Sequence, residues 1–385
     1  MSRLTSSLAM LAAFISGVFI IAFFGQLSVS PVSTPVAPTA SSTLSVLPGF
    51  AASSSSPSAL YSNGPKTTAL APSAKHTTPS LVPEKGVSFA SSSPESTPIS
   101  TSPPSAESVG VLLNVSASAL RSALVNILCY APTGSPLHSI SGSGVIVDPK
   151  GIILTNAHIA QYFLLADRGV SCTVRSGSPA TDRYTAKLMF IPSAWIHANP
   201  GVLTEASPSG TGEYDFAFLA ITQSVTDMAL PPSFPFIPLS AVPPLSGTPV
   251  VIASYGAQFL DPTQVESSLF PTLVFGSVKS VFTFGTHTID VLALGGSVAA
   301  QEGSSGGGVA DAEGSLVGTI TTSTIKGATA TRDLNAITAS YVRAEYASET
   351  GQPLDLFLAE QPYKAVSDFA PKIPALEAVL TASLP

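Results

Sequence analysis

The chain has 385 residues, a formal net charge of −7 from 16 basic and 23 acidic side chains, 34 Pro, 29 Gly and 2 Cys. An acidic balance excludes a nucleic-acid binder, which needs a basic stripe against phosphate, so no nucleic-acid partner is expected. Two cysteines are too few for a disulfide-stapled mini-fold or a four-thiolate zinc site, and no Cys/His cluster accompanies them.

The first element in chain order is a charge-free run, LAMLAAFISGVFIIAFF over residues 8–24. With Gly25, Gln26 and Leu27 it reaches about 20 residues, enough to span a bilayer as a helix. Arg3 precedes it, and the first Lys after it is Lys66. The positive-inside rule then puts residues 1–7 in the cytoplasm and everything after 27 outside. The other reading is a cleaved signal sequence, which would make the protein secreted. Gly25-Gln26-Leu27-Ser28 is a poor cleavage site, so residues 8–27 are read as an uncleaved anchor.

Residues 28–108 are more than half Ser, Thr or Pro. Apolar residues occur singly, and recurrent Pro blocks helix continuation. Such a segment cannot bury enough surface to offset its ordering entropy, and it reads as a disordered stalk. His76 falls in it and carries no chemistry.

From 109 to about 350 short apolar runs alternate with Gly, Pro and Ser turns. They include 123–130, 144–147, 152–155, 186–191, 216–221, 249–254, 272–281, 288–294 and 315–321. The spacing predicts an all-β domain, large enough for two six-stranded antiparallel β-barrels followed by a C-terminal helix over 337–347. Residues 351–385, with Pro353, Pro362, Pro371 and Pro374, read as a tail too short for a further domain.

Three stretches of this domain carry possible chemistry. A hairpin pattern, SGSGVIVDPKGIILTNAHIA over 141–160, ends in His158. A histidine just beyond a buried strand is held firmly, as a general base must be. Asp215 opens the apolar run DFAFLAI, where a carboxylate loses water and needs a donor such as an imidazole N–H. Ser305 stands in GSSGGG over 303–308, where a tight glycine turn can aim successive amide N–H groups at one oxyanion. Each stretch alone has a bland alternative: a structural histidine, a strand-start turn residue, a flexible Gly/Ser loop.

The order His158, Asp215, Ser305, with separations of 57 and 90 residues, is that of the chymotrypsin-type triad. TNAH at 155–158, YDFAFL at 214–219 and GSSGG at 303–307 resemble trypsin-like serine proteases, nearest to bacterial membrane-anchored Deg/HtrA-type enzymes. The resemblance spans about 115–345. It implies a chymotrypsin-like pair of barrels, hydrolysis of peptide bonds through an acyl-enzyme, protein or peptide substrates, and no cofactor or metal. By the same resemblance, the amides of Gly303 and Ser305 form the oxyanion hole. Ala299, six residues before Ser305, lies at the base of the specificity pocket and suits apolar or small side chains. The resemblance also implies a disulfide between Cys129 and Cys172, two buried thiols being the alternative. Position 304 is Ser where the family usually has Asp or Asn, and no PDZ domain has room after 350. The competing function is a catalytically silent trypsin-fold domain that binds peptides or protein partners. Neither oligomeric state nor substrate is legible.

Overall fold

The computed structural model describes residues 105–384 except 206–209, 227, 286–287 and 324–325. The expected cytoplasmic stub 1–7, the anchor 8–27, most of the stalk and His287 therefore lie outside the described residues. Among the described residues no helix is long and apolar enough to cross a membrane.

The first element is a helix, α1 (Ala106–Ala123), capped by Ser105, whose side chain accepts the Ser108 N–H. It begins inside the stretch assigned to the stalk. Leu113, Ala117 and Leu120 are buried on one face, at the i, i+4, i+7 spacing of an amphipathic helix. That face packs against β2 (Ile140–Asp148), β7 (Pro249–Ser254) and β11 (Gly308–Ala310), so α1 bridges both sheets.

A closed six-stranded barrel comes next, ordered β1-β2-β3-β6-β5-β4. Its other strands are β1 (Leu124–Tyr130), β3 (Ile152–Thr155), β4 (Ser171–Gly177), β5 (Ala180–Phe190) and β6 (Ala217–Ser224). All neighbours pair antiparallel. Ile127, Ile146, Ile153, Val174 and Leu219 share its inner face by register and are buried. The short helices α2 (Ala157–Ala160) and α3 (Ser193–Ala198) follow β3 and β5. Cys129 and Cys172 are register partners on β1 and β4, and a disulfide joins them.

The second half departs from the expected six-stranded barrel. It is a seven-stranded sheet ordered β8-β7-β11-β12-β13-β10-β9, open between β8 and β9. The run 272–281, read as one strand, breaks into β8 (Thr272–Ser277) and β9 (Ser280–Phe282). At the break Val278 exchanges hydrogen bonds with the backbone of Gly247 and Thr248, and the Lys279 N–H turns to the Ala293 carbonyl. The two pieces therefore form the two opposite edges of the sheet. The helix α4 (Pro262–Ser267) precedes β8; β10 (Val291–Ala293), β12 (Leu316–Ser323) and β13 (Leu334–Thr338) complete the sheet.

The C-terminal helix α5 (Ala339–Thr350) stands where the sequence predicts one. Residues beyond it fold as α6 (Leu354–Ala359), α7 (Pro362–Phe369) and α8 (Ile373–Ala382). They dock on the first barrel through an aromatic cluster: Phe369 lies 6.3 Å from Phe190, and Phe357 lies 5.5 Å from Phe218 and 4.8 Å from Tyr346, ring centre to ring centre.

Candidate active site

His158 sits in the single turn of α2 that β3 feeds. Asn156, just before that turn, donates through Nδ2 to the Asp215 carbonyl at 2.8 Å, and Gln161 Nε2 donates to the His158 carbonyl at 2.9 Å. The backbone around the imidazole is thus pinned on both sides. The ring itself is 17% exposed, open enough to exchange a proton and fixed enough to hold one orientation.

The structure brings His158 and Asp215 into direct contact. His158 Nδ1 lies 2.8 Å from Asp215 Oδ2, and the His158 amide donates to Oδ1 at 3.0 Å. A third donor, Thr321 Oγ1, reaches Oδ2 at 2.8 Å. Asp215 is 5% exposed, and a carboxylate so buried is tolerated only when its lone pairs are taken up. Three donors take them up here. With Oδ2 accepting from Nδ1–H, Nε2 is the free acceptor of the imidazole.

Ser305 lies on the loop between β10 and β11, and hydrogen bonds to β2 and β12 hold that loop. Its carbonyl accepts the Ser143 N–H at 2.7 Å, and the Gly303 carbonyl accepts Ser143 Oγ at 2.8 Å. Gly306 N–H donates to the Ile320 carbonyl, one residue before Thr321. Gly306 has φ +83°, and a Cβ there would stand 1.9 Å from the Ser143 carbonyl oxygen and 2.6 Å from Thr155 Oγ1. Only glycine fits that approach. Thr155, three residues before His158, itself donates to the same Ser143 carbonyl. The loop bearing Ser305 is therefore stitched to the strand end that carries His158 and to the strand that carries Thr321.

The two adjacent serines differ. Ser304 is 1% exposed and its hydroxyl accepts from Ser254 Oγ at 3.1 Å. Ser305 is half-buried. Gly303 has φ +87°, and a Cβ there would stand 2.7 Å from the Tyr255 carbonyl oxygen. Neither the Gly303 nor the Ser305 N–H donates to a protein acceptor among the described residues.

Ala299 is wholly buried in the core of the second sheet with Ala300. Glu302 is exposed, and its carbonyl accepts the Ala257 N–H. The segment is fastened by Arg332, which is 4% exposed and donates to the carbonyls of Ala300 and Gly327 and to Gln258 Oε1. Thr321 and Arg332 have no signature in the linear sequence, and their contacts come from across the fold; Ser143 stands in the S-G-S-G run, which does not itself show what the serine touches. His138 and His197 join neither Asp215 nor Ser305. No group of His, Cys, Asp and Glu among the described residues could hold a metal ion.

Residues 142–318 match the family model of the trypsin-like peptidase domain. That span contains His158, Asp215 and Ser305. Among solved structures, the inactive form of the Rv3671c protease of M. tuberculosis is 20% identical. It covers 63% of this chain and 96% of its own, with a TM-score of 0.39. The active form is 21% identical over 67% of this chain and 95% of its own, with the same score. The serine endoprotease of Yersinia pestis is 19% identical over 62% and 68%, also at 0.39. No curated protein matches the chain.

Proposed function

We propose that this chain, whose residues 142–318 match the trypsin-like peptidase domain, is a serine endopeptidase that cleaves proteins outside the cytoplasm through a His158–Asp215–Ser305 triad while anchored by residues 8–27. The observation that carries the triad is the 2.8 Å contact between His158 Nδ1 and a buried Asp215 carboxylate.

In this mechanism His158 Nε2 takes the proton of Ser305 as its Oγ attacks the scissile carbonyl. The tetrahedral oxyanion forms against the N–H groups of Gly303 and Ser305, which have no protein acceptor among the described residues to compete. His158 then gives its proton to the leaving amine, which departs and leaves an acyl-enzyme. Water, activated by the same Nε2, attacks the ester and regenerates Ser305. Asp215 holds the Nδ1–H tautomer and stabilises the imidazolium through both half-reactions. No metal or cofactor is called for, and substrates are proteins or peptides.

The apolar run 8–27 with Arg3 before it supports the anchor and its orientation. The Cys129–Cys172 disulfide supports an oxidising compartment for the domain.

The test uses the full chain, wild type beside Ser305→Ala, with a fluorophosphonate probe and unfolded casein. Labelling and cleavage by the wild type alone are expected. A folded wild type that neither labels nor cleaves would favour the silent peptide-binding domain instead.

A further inference from the structure

Asp215 reaches the imidazole from a turn that ordinary side chains avoid. Tyr214 is the one non-glycine among the described residues with a positive φ, +56°. In that left-handed conformation Cβ crowds the following carbonyl, which disfavours it for L-residues. The turn opens at Gly212, φ +87°, where a Cβ would stand 2.8 Å from Thr321 Cγ2. Within it the Asp215 N–H bonds the Gly212 carbonyl and the Phe216 N–H bonds the Tyr214 carbonyl.

The Tyr214 N–H does not go to a backbone carbonyl. It donates to Tyr341 Oη at 3.0 Å, across 127 residues of chain. Tyr341 is a rigid partner: it is buried in α5, its N–H is capped by Thr338 Oγ1, and its ring lies 5.1 Å from that of Phe284. Burial pushes its phenol well above the usual range, so it stays a neutral hydroxyl. Without Oη, the Tyr214 amide would have to turn to water, and φ would be free to relax to a negative value. The next residue in the chain is Asp215, so that relaxation would swing the carboxylate off His158 and Thr321.

We infer that Tyr341 is a positioning residue for Asp215: its hydroxyl holds Tyr214 left-handed and so fixes the aim of the carboxylate. The inference rests on the reading of His158, Asp215 and Ser305 as a triad. A glycine at 214 adopts a positive φ without strain, so it removes the need for the tether and supplies the control.

The test compares Tyr341→Phe in two backgrounds of the full chain, wild type and Tyr214→Gly. One readout is the rate of fluorophosphonate labelling, with kcat and KM on a peptide. The other is the downfield proton NMR signal of the His158 N–H bonded to Asp215, which needs no turnover. In the wild-type background Tyr341→Phe should slow labelling about ten- to a hundredfold, since small misplacements in a triad cost rates of that order. KM should hold, and the downfield signal should broaden or shift. In the Tyr214→Gly background the same substitution should change little. Equal losses in both backgrounds would assign Tyr341 a packing role and overturn the inference. So would an unchanged rate and signal in the wild-type background. If the wild type itself never labels, the triad reading fails, and the NMR signal alone decides Tyr341: a signal unmoved by Tyr341→Phe overturns it.

Discussion

Replacing Asp215 by Asn changes one atom and asks which of its neighbours can adapt. Oδ1 accepts the His158 backbone N–H; Oδ2 accepts His158 Nδ1–H and Thr321 Oγ1–H. An asparagine must put its NH2 at one of these two positions. At the Oδ1 position it would face an amide N–H that cannot become an acceptor, leaving buried donors opposed at a cost of about 1–3 kcal/mol. At the Oδ2 position it would face two groups that can switch: the threonine hydroxyl can rotate to accept, and the imidazole can move its proton to Nε2. The second arrangement wins. The variant should therefore fold with a loss of about 1 kcal/mol, the net worth of one hydrogen bond. Its histidine, however, is locked in the tautomer whose Nε2 cannot take the Ser305 proton. The expected fall in kcat is about 10⁴-fold, the size seen for the equivalent change in a serine-protease triad, or about 5 kcal/mol of transition-state stabilisation. Labelling kinetics and urea unfolding, run side by side, check both numbers. A kcat within tenfold of wild type would refute the role given to Asp215. A stability loss above about 3 kcal/mol would refute the tautomer argument.

Three further outcomes follow from the same contacts. Ser304→Ala should still label, because its hydroxyl is committed to Ser254; the loss should be confined to about 1 kcal/mol of stability in urea melts, and failure to label would make Ser304 the nucleophile. The double variant Cys129→Ala/Cys172→Ala opens a loop closed over a separation of 43 residues; it should lose about 4 kcal/mol by the chain-entropy relation, measured as a lowered urea midpoint. Phe369→Ala removes a buried ring packed on Phe190 and should cost about 3–5 kcal/mol; a shift in thermal midpoint near zero would mean that the last helices are not part of the cooperative unit.

What could be read from the chain depended on how local the signal is. The strands β1, β3, β7 and β12 announce themselves as apolar runs between turn residues, and His158, Asp215 and Ser305 announce themselves by order and motif. The strand β11 is three residues long and follows a glycine loop, so no run marks it. The helices after 351 were hidden by their prolines, which read as breakers. Pro362 and Pro374 in fact stand in the first turns of α7 and α8, and Pro371 in that of the short 3-10 turn between them. There the missing N–H has no intrahelical partner to lose. The run 272–281 looked continuous because hydropathy does not register a break made by distant hydrogen bonds at Val278. Thr321 and Tyr341 were invisible for the same reason: each acts on the Asp215 turn from more than 100 residues away.

The S-G-S-G pattern before His158 shows how a local motif encodes a distant contact. Gly142, Ser143 and Gly144 alternate across β2. The two glycines face the first barrel's core: a Cβ at Gly142 would stand 2.6 Å from Ile159 Cδ1, and one at Gly144 2.7 Å from Ile153 Cγ2. They are small so that the residue after His158 and the strand leading to it can pack inside. Ser143 is the residue between, and it works toward the second sheet. Its Oγ donates to the Gly303 carbonyl and accepts the Tyr255 N–H, while its own N–H holds the Ser305 carbonyl and its carbonyl takes Thr155 Oγ1. A hydroxyl offers one donor and two acceptor sites, and this one uses the donor and an acceptor at the seam. Through Ser143 the barrel and the loop that carries Ser305 are joined at one seam. That seam depends on one strand whose glycines admit the neighbours of His158 and whose serine clasps the loop carrying Ser305.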